Sequence, residues 1–222
     1  YGGNLRFNRF DLTIAPGEDS RNEGGAYIQD EILLHDRFRV VAGARVDKFS
    51  SIDGAVFSPR VAAVIKPRPD QSVRVSYNRA FRAPSMVNNN LDVTIGTPLP
   101  LRAVSQFYPN QIFLVPTHAV GNRDLVEESV DAFEVSYTGN IRDRASVSIA
   151  WYYTKFEEQI FFTTTGEWTT APPGFPALVT PIGTLPASVV WQGLRNNGVV
   201  FPSDFSYRNL GQVKSKGLEL GA

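Results

Sequence analysis

Adjacent carboxylates are the first place to look for general acid–base chemistry, and the sequence has two such pairs, Glu127-Glu128 and Glu157-Glu158. Both fall in stretches that read as strands, where neighbouring side chains point to opposite faces. Neither pair can therefore close on one substrate. Nucleophilic chemistry fares no better: there is no Gly-x-Ser-x-Gly elbow, and His35 and His118, the only histidines, sit in a tight turn and a large loop. With no cysteine, the sequence offers neither a His/Cys metal set nor a disulfide framework. It thus predicts no catalytic residue, no metal site and no cofactor.

Binding chemistry is better supplied. The segment 163–206 has Glu167, Arg195 and Asp204 as its only charged residues, yet carries Trp168, Phe175, Trp191, Phe201 and Phe205. Trp168 and Trp191, with Arg195 beside them, could stack on a sugar ring or an aromatic chelate; the plainer alternative is that these aromatics pack the loop on itself. The segment 83–126 offers Arg102, Tyr108, His118 and Arg123, a cationic set able to hold an anionic ligand or simply to brace the loop. The balance of 22 basic and 22 acidic side chains gives no pull toward nucleic acid.

The elements that would position these residues are strands. Phe38, Val40, Ala42, Ala44 and Val46 alternate with Arg39, Val41, Gly43, Arg45 and Asp47, and the same period of two recurs around Val75, Val135 and Ile149. Eight strands are expected, at about 4–13, 24–34, 38–49, 57–66, 72–82, 127–138, 144–162 and 207–221. Three connections are tight (His35 to Arg37, Pro67 to Gln71, Gly139 to Asp143) and rich in turn-forming residues. They alternate strictly with the longer ones at 14–23, 50–56, 83–126 and 163–206. No run of about 18 apolar residues could form a membrane helix.

An all-β meander with short turns at one end and long loops at the other is the pattern of a transmembrane antiparallel β-barrel, whose apolar face meets lipid and whose polar face lines the lumen. Arg39, Arg45, Asp47, Arg74 and Glu134 then face the lumen. The apolar stretch Ala145 to Tyr153 matches the roughly 9–11 residues a tilted strand needs to cross the bilayer. Asp30 and Arg79 share a parity with apolar neighbours; Arg79 lies toward the loop end, where a small penalty or a β-bulge is tolerable, and for Asp30 a β-bulge is the available explanation.

The residues also resemble a known family. Gly25-Ala26-Tyr27-Ile28-Gln29-Asp30-Glu31, Val41-Ala42-Gly43-Ala44-Arg45-Val46-Asp47, Phe57-Ser58-Pro59-Arg60, Ala80-Phe81-Arg82-Ala83-Pro84-Ser85 and Ser215-Lys216-Gly217-Leu218-Glu219 are similar to barrel strands of TonB-dependent outer-membrane receptors. The resemblance covers about 24–85, 121–162 and 207–221 and leaves out the two large loops. It implies that residues 1–222 form part of one larger barrel in the outer membrane of a Gram-negative bacterium, without the plug domain. It further implies a bulky, scarce small-molecule or oligosaccharide ligand (ferric siderophore, cobalamin or glycan) and import energised by the TonB complex through a missing N-terminal segment. The plug itself and outer-membrane lipid are the remaining expected partners. A plug upstream and further strands downstream are expected in the flanking coding sequence. Two other readings stand beside it: a surface-displayed all-β binding module with a private core, and a hydrolase with a Ser–His pair at a barrel rim.

Overall fold

The computed structural model describes residues 1–141 and 144–222. Strands β1 (Gly2–Arg9), β2 (Ser20–His35), β3 (Phe38–Phe49), β4 (Ala55–Ile65) and β5 (Gln71–Arg82) lead into α1 (Met86–Asn90), β6 (Asp92–Pro100), α2 (Leu101–Val104) and β7 (Ile112–Val120). Then come β8 (Glu128–Ile141), β9 (Ala145–Glu167), the small hairpin β10 (Leu178–Thr180) and β11 (Gly183–Leu185), α3 (Ala187–Asn196) and β12 (Pro202–Gly221). One sheet runs β1-β2-β3-β4-β5-β8-β9-β12-β7-β6. The eight expected strands are its first eight members, each antiparallel to the next.

Register joins the apolar parities of these strands into one face. A single row reads Asp30, Ala42, Val61, Tyr77, Phe133, Tyr153, Lys216, and a neighbouring row reads Val75, Val135, Trp151, Leu218. This face is bare: Ile28 is 64% exposed, Phe57 55% and Leu218 61%. A β-sandwich would bury such a face against a second sheet, but the only other sheet among the described residues is the β10–β11 hairpin. The binding-module reading with a dry core between sheets therefore does not hold. The eight strands form part of a barrel, left open in this stretch, whose apolar side is made for hydrocarbon.

Neither expected bulge is present. Pairing of β2 with β3 runs unbroken from Glu23–Phe49 to Leu33–Arg39, and the shift comes only between Leu33 and His35, at the turn. Asp30 keeps its place on the apolar face, near the short-turn end, where its Oδ1 accepts a hydrogen bond from the Glu31 N–H (2.9 Å). Arg79 is explained by its row: it stands opposite Asp131, which faces Lys155, which faces Lys214. The row is a band of mixed charge where the strands leave the apolar zone, so its members need no burial in lipid. The expected turn at Gly139 to Asp143 falls partly on Arg142 and Asp143, which lie outside the described residues.

The large loops are more ordered than expected. Strands β6 and β7 form a hairpin inside 83–126, and β9 and β12 reach far into 163–206. The β6–β7 hairpin then crosses β8 and β9 to lie along β12, pairing in parallel through His118–Asp204, Ala119–Phe205 and Ser206–Val120. Between β9 and β12 a kink is built on both strands, at Glu158 (φ 54°) and Gly211 (φ 57°), two left-handed residues that would otherwise pair. Glu128 reaches across to this kink and accepts the Ile160 N–H at 2.6 Å, while also holding Arg82.

Candidate functional site

The polar face gathers the five expected lumen residues. Arg45 donates to both oxygens of Asp47 (2.6 and 2.5 Å) and to Asn4 Oδ1 (2.8 Å). Asp47 is buried, and Gly25 beside it must be glycine: a Cβ there would sit 2.1 Å from Asp47 Oδ1. Arg39 pairs with Glu31 at 2.8 Å. Register sets Arg74 across Val64 from Arg39, and Glu134 opposite Ser76. Arg74 and Glu134 have no ion-pair partner among the described residues.

The long-loop end is built in two parts. One is an aromatic lobe in which the two large loops share a core of Leu101, Tyr108, Val115, Phe175, Leu178 and Trp191, with Trp168 and Phe201 packed against it. Phe175 sits edge-on to Tyr108, Phe113 and Trp191, with centroids 5.0–6.5 Å apart. Trp191 is 1% exposed and donates its Nε1–H to Trp168 O (2.9 Å), and Trp168 donates to Pro116 O (2.7 Å). Of the sequence candidates, Tyr108 and Trp191 are thus interior, with no ring face open to a ligand, and Trp168 is half-buried. Arg195 braces the lobe through Thr169 O (3.0 Å). Arg102 is exposed, and His118 stands at the surface 2.8 Å from Asp92. The six candidates do not converge on one pocket.

Tyr108 gives the lobe a pH signature. Burial raises its pKa above the ordinary tyrosine value, while its hydroxyl donates to Pro176 O at 2.8 Å. A detached loop ionises at the ordinary value of about 10, so the packing is at full strength below that pH and weakens as pH rises above it. Protease cleavage within 163–206 of the full-length receptor is expected to stay level up to about pH 10 and to increase above it. Tyr108→Phe, which has no proton to lose, should flatten that rise; an equal rise in the variant would contradict the assignment.

The other part is a polar cleft that sequence reasoning missed. An open cavity of about 380 Å³ is lined by Glu18, Asp53, Asn89, Arg123, Asp124 and Glu127, with the turn 50–54 forming one wall. A second, of about 410 Å³, lies across Asn89 and Arg123 and takes in Asp92 and His118. The turn is fixed by Lys48, whose ammonium donates to the carbonyls of Ile52 (2.7 Å), Asp53 and Gly54 (3.2 Å). Helix α1 is started by a reciprocal cap between Ser85 and Asn88, which sets Asn89 and Asn90 into the cleft wall. The only signal for this in the sequence was the Asn88-Asn89-Asn90 run two residues after Ser85-Met86 begins the turn. Arg123 donates from Nη2 to Asn90 Oδ1 (2.9 Å) and Gly17 O (3.2 Å).

A family model described as TonB dependent receptor-like, beta-barrel, matches residues 1–222. The chain belongs to the TonB-dependent receptor β-barrel family. The match takes in the two large loops and the first strand, which the resemblance read from the sequence left out. The fold is similar to the siderophore receptor PirA from Pseudomonas aeruginosa (17% identity, TM-score 0.63, covering 94% of this chain and 32% of that one). It is also similar to PirA from Acinetobacter baumannii (19% identity, TM-score 0.61, 94% and 26%). The Serratia marcescens hemophore receptor HasR, solved with its hemophore HasA and heme, gives 13% identity and a TM-score of 0.56, covering 90% and 31%. No curated protein sequence matches the chain. The chain spans about a quarter to a third of these solved receptors. As a TonB-dependent receptor barrel it is a protein of the Gram-negative outer membrane, in a family of transport receptors.

Proposed function

We propose that this chain is part of an active-transport receptor that captures a bulky, scarce solute at its outer loops and imports it with energy supplied through TonB. Ferric siderophores, cobalamin and oligosaccharides are the ligand classes such a receptor serves, and its work is transport, not catalysis. The observation that carries this reading is the bare apolar face of one continuous sheet, backed by a charged face and topped by a loop end with polar cavities.

On this reading the loops of 83–126 and 163–206 face outward, with Arg102 and His118 as exposed groups near the ligand. Arg39, Arg45, Asp47, Arg74 and Glu134 face the plug. Of these, Arg74 and Glu134 are the free hydrogen-bonding groups with which a plug would engage. Deletion of the full gene is expected to remove energised uptake of one solute class, and inactivating TonB should remove it equally. Growth under iron limitation and on defined glycans reads out the class. A deletion strain with unchanged uptake of all three classes would overturn the reading.

A further inference from the structure

On the apolar side of the sheet, the uncharged rows end in a cluster of cations confined to four strands. Register sets Arg79, Asp131, Lys155 and Lys214 in one row across β5, β8, β9 and β12. Lys216 stands one row nearer the short turns and Glu157 one row nearer the long loops. Four cations therefore share the patch with two carboxylates, and both carboxylates are engaged. Asp131 accepts from the Tyr77 hydroxyl at 2.5 Å, and Glu157 from Lys155 (2.6 Å) and Gln212 Nε2 (3.0 Å). Arg79, Lys214 and Lys216 have no ion pair among the described residues, and the two lysines are exposed. Toward the short turns follow two rows without charge: Val75, Val135, Trp151 and Leu218, then Val73, Tyr137, Ile149 and Leu220. The cluster is local. At the matching step toward the long loops, β2, β3 and β4 present Ile28, Ala44 and Pro59, then Ala26, Val46 and Phe57.

We infer that this patch seats a lipid of the outer leaflet whose headgroup carries more than one phosphate, its acyl chains lying on the uncharged rows. The inference takes from the import reading only that the long loops face outward, and it holds whatever solute is carried. A general interfacial belt would run round every strand of the barrel. Cations gathered on four strands, at the edge of an uncharged wall, instead complement an amphiphile with acyl chains and an anionic head. Lysine and arginine at this level keep their stems on the apolar surface and lift their charged ends to the headgroups. Phosphate suits both donors, meeting the planar fork of Arg79 through two N–H groups and the ammoniums as compact charges. Neighbouring strands lie about 4.8 Å apart, so Arg79 on β5 and Lys214 on β12 are about 14 Å apart along their row. Asp131 stands between them. One phosphate cannot reach both poles; two on a single headgroup can, and the carboxylate between them keeps the two anions apart.

The test uses the full-length receptor in detergent, with binding of diphosphoryl lipid A, monophosphoryl lipid A, phosphatidylcholine and inorganic phosphate each read by native mass spectrometry. Diphosphoryl lipid A is expected to bind about tenfold more tightly than either other lipid, and the triple variant Arg79→Gln, Lys214→Gln, Lys216→Gln to lose that preference. Heat-dependent gel mobility reports whether each variant's barrel is folded. Lys214→Gln alone, at an exposed position without an ion pair, should weaken binding by about threefold and serves should the triple variant fail to fold. Arg68→Gln, in the short turn at the opposite end of the sheet, should leave binding unchanged. Equal binding of diphosphoryl lipid A and either other lipid overturns the inference, as does no lipid binding at all. So does binding that the charge variants leave unaltered, or that Arg68→Gln lowers as much as they do. Inorganic phosphate bound as tightly as lipid A would also overturn it, since the uncharged rows would then contribute nothing. A receptor that imports its solute but binds no lipid A removes this inference alone; unchanged uptake on deletion removes the import reading alone.

Discussion

Ile149→Arg in the full-length receptor abolishes insertion into the outer membrane, while Ala150→Arg, one residue along at the same depth, leaves it intact. This is the expected result because the two side chains leave β9 on opposite sides. Ile149 lies between Tyr137 and Leu220 on the apolar face and is 41% exposed. An arginine there costs roughly 2–4 kcal/mol near the bilayer midplane, at a position where the strand has no second sheet to hide it. Ala150 lies between Ser136 and Glu219 on the polar face, where a guanidinium gains an opposite charge. Membrane fractionation and heat-modifiable gel mobility measure both outcomes. Equal tolerance of the two substitutions would show that the apolar face does not touch hydrocarbon.

The second large effect belongs to the loops. Trp191 is fully buried at the centre of the shared aromatic core, in edge contact with Phe175 and tilted against Phe201 at 5.2 Å. Truncating a buried Trp to Ala costs about 3–5 kcal/mol through lost transfer energy and a cavity. Trp191→Ala is expected to raise amide hydrogen exchange in α3, β7 and the Asp204–Ser206 stretch of β12 by about two to four orders of magnitude. The spanning parts of β5, β8 and β9 should keep their protection, since local stability is set by local packing. Exchange that stays slow in β7 would mean that the two loops hold together without the aromatic core.

The strands were legible because one apolar face and one polar face impose a period of two that no loop residue interrupts. Phe38 to Lys48 shows this in its purest form, and β3 begins and ends within a residue of where that pattern does. The β6–β7 hairpin was not legible. Gly96, Pro98, Pro100 and Pro116 break the strand signal, and β6 is exposed along most of its length, so only β7 carries an alternation, with Val115, Thr117 and Ala119 buried on one face. Its parallel pairing with β12 joins residues 86 positions apart, His118 with Asp204, and no local pattern encodes that.

The site divides in the same way. Tyr108, Trp168 and Trp191 stood out by type, but a large aromatic is chosen for a core and for a ligand by the same physics, and here the core took them. Asp30 and Arg79 were legible as misfits; what the sequence could not supply was the row that seats Arg79 opposite Asp131. Asn89, Asp53 and Glu127 are ordinary surface residues in one dimension. Only the folding together of three separate loops makes them neighbours.

Height is a consequence of the β9–β12 hairpin. Beyond the apolar stretch that ends at Tyr153, β9 continues from Thr154 to Glu167, and at roughly 3.3 Å per residue that is about 45 Å of ribbon. The bend at Glu158 and Gly211 turns this mast, and the parallel seam with β7 lashes the neighbouring loop to its top. On the import reading proposed above, a solute approaching from outside would meet this ribbon well before the level of the apolar face.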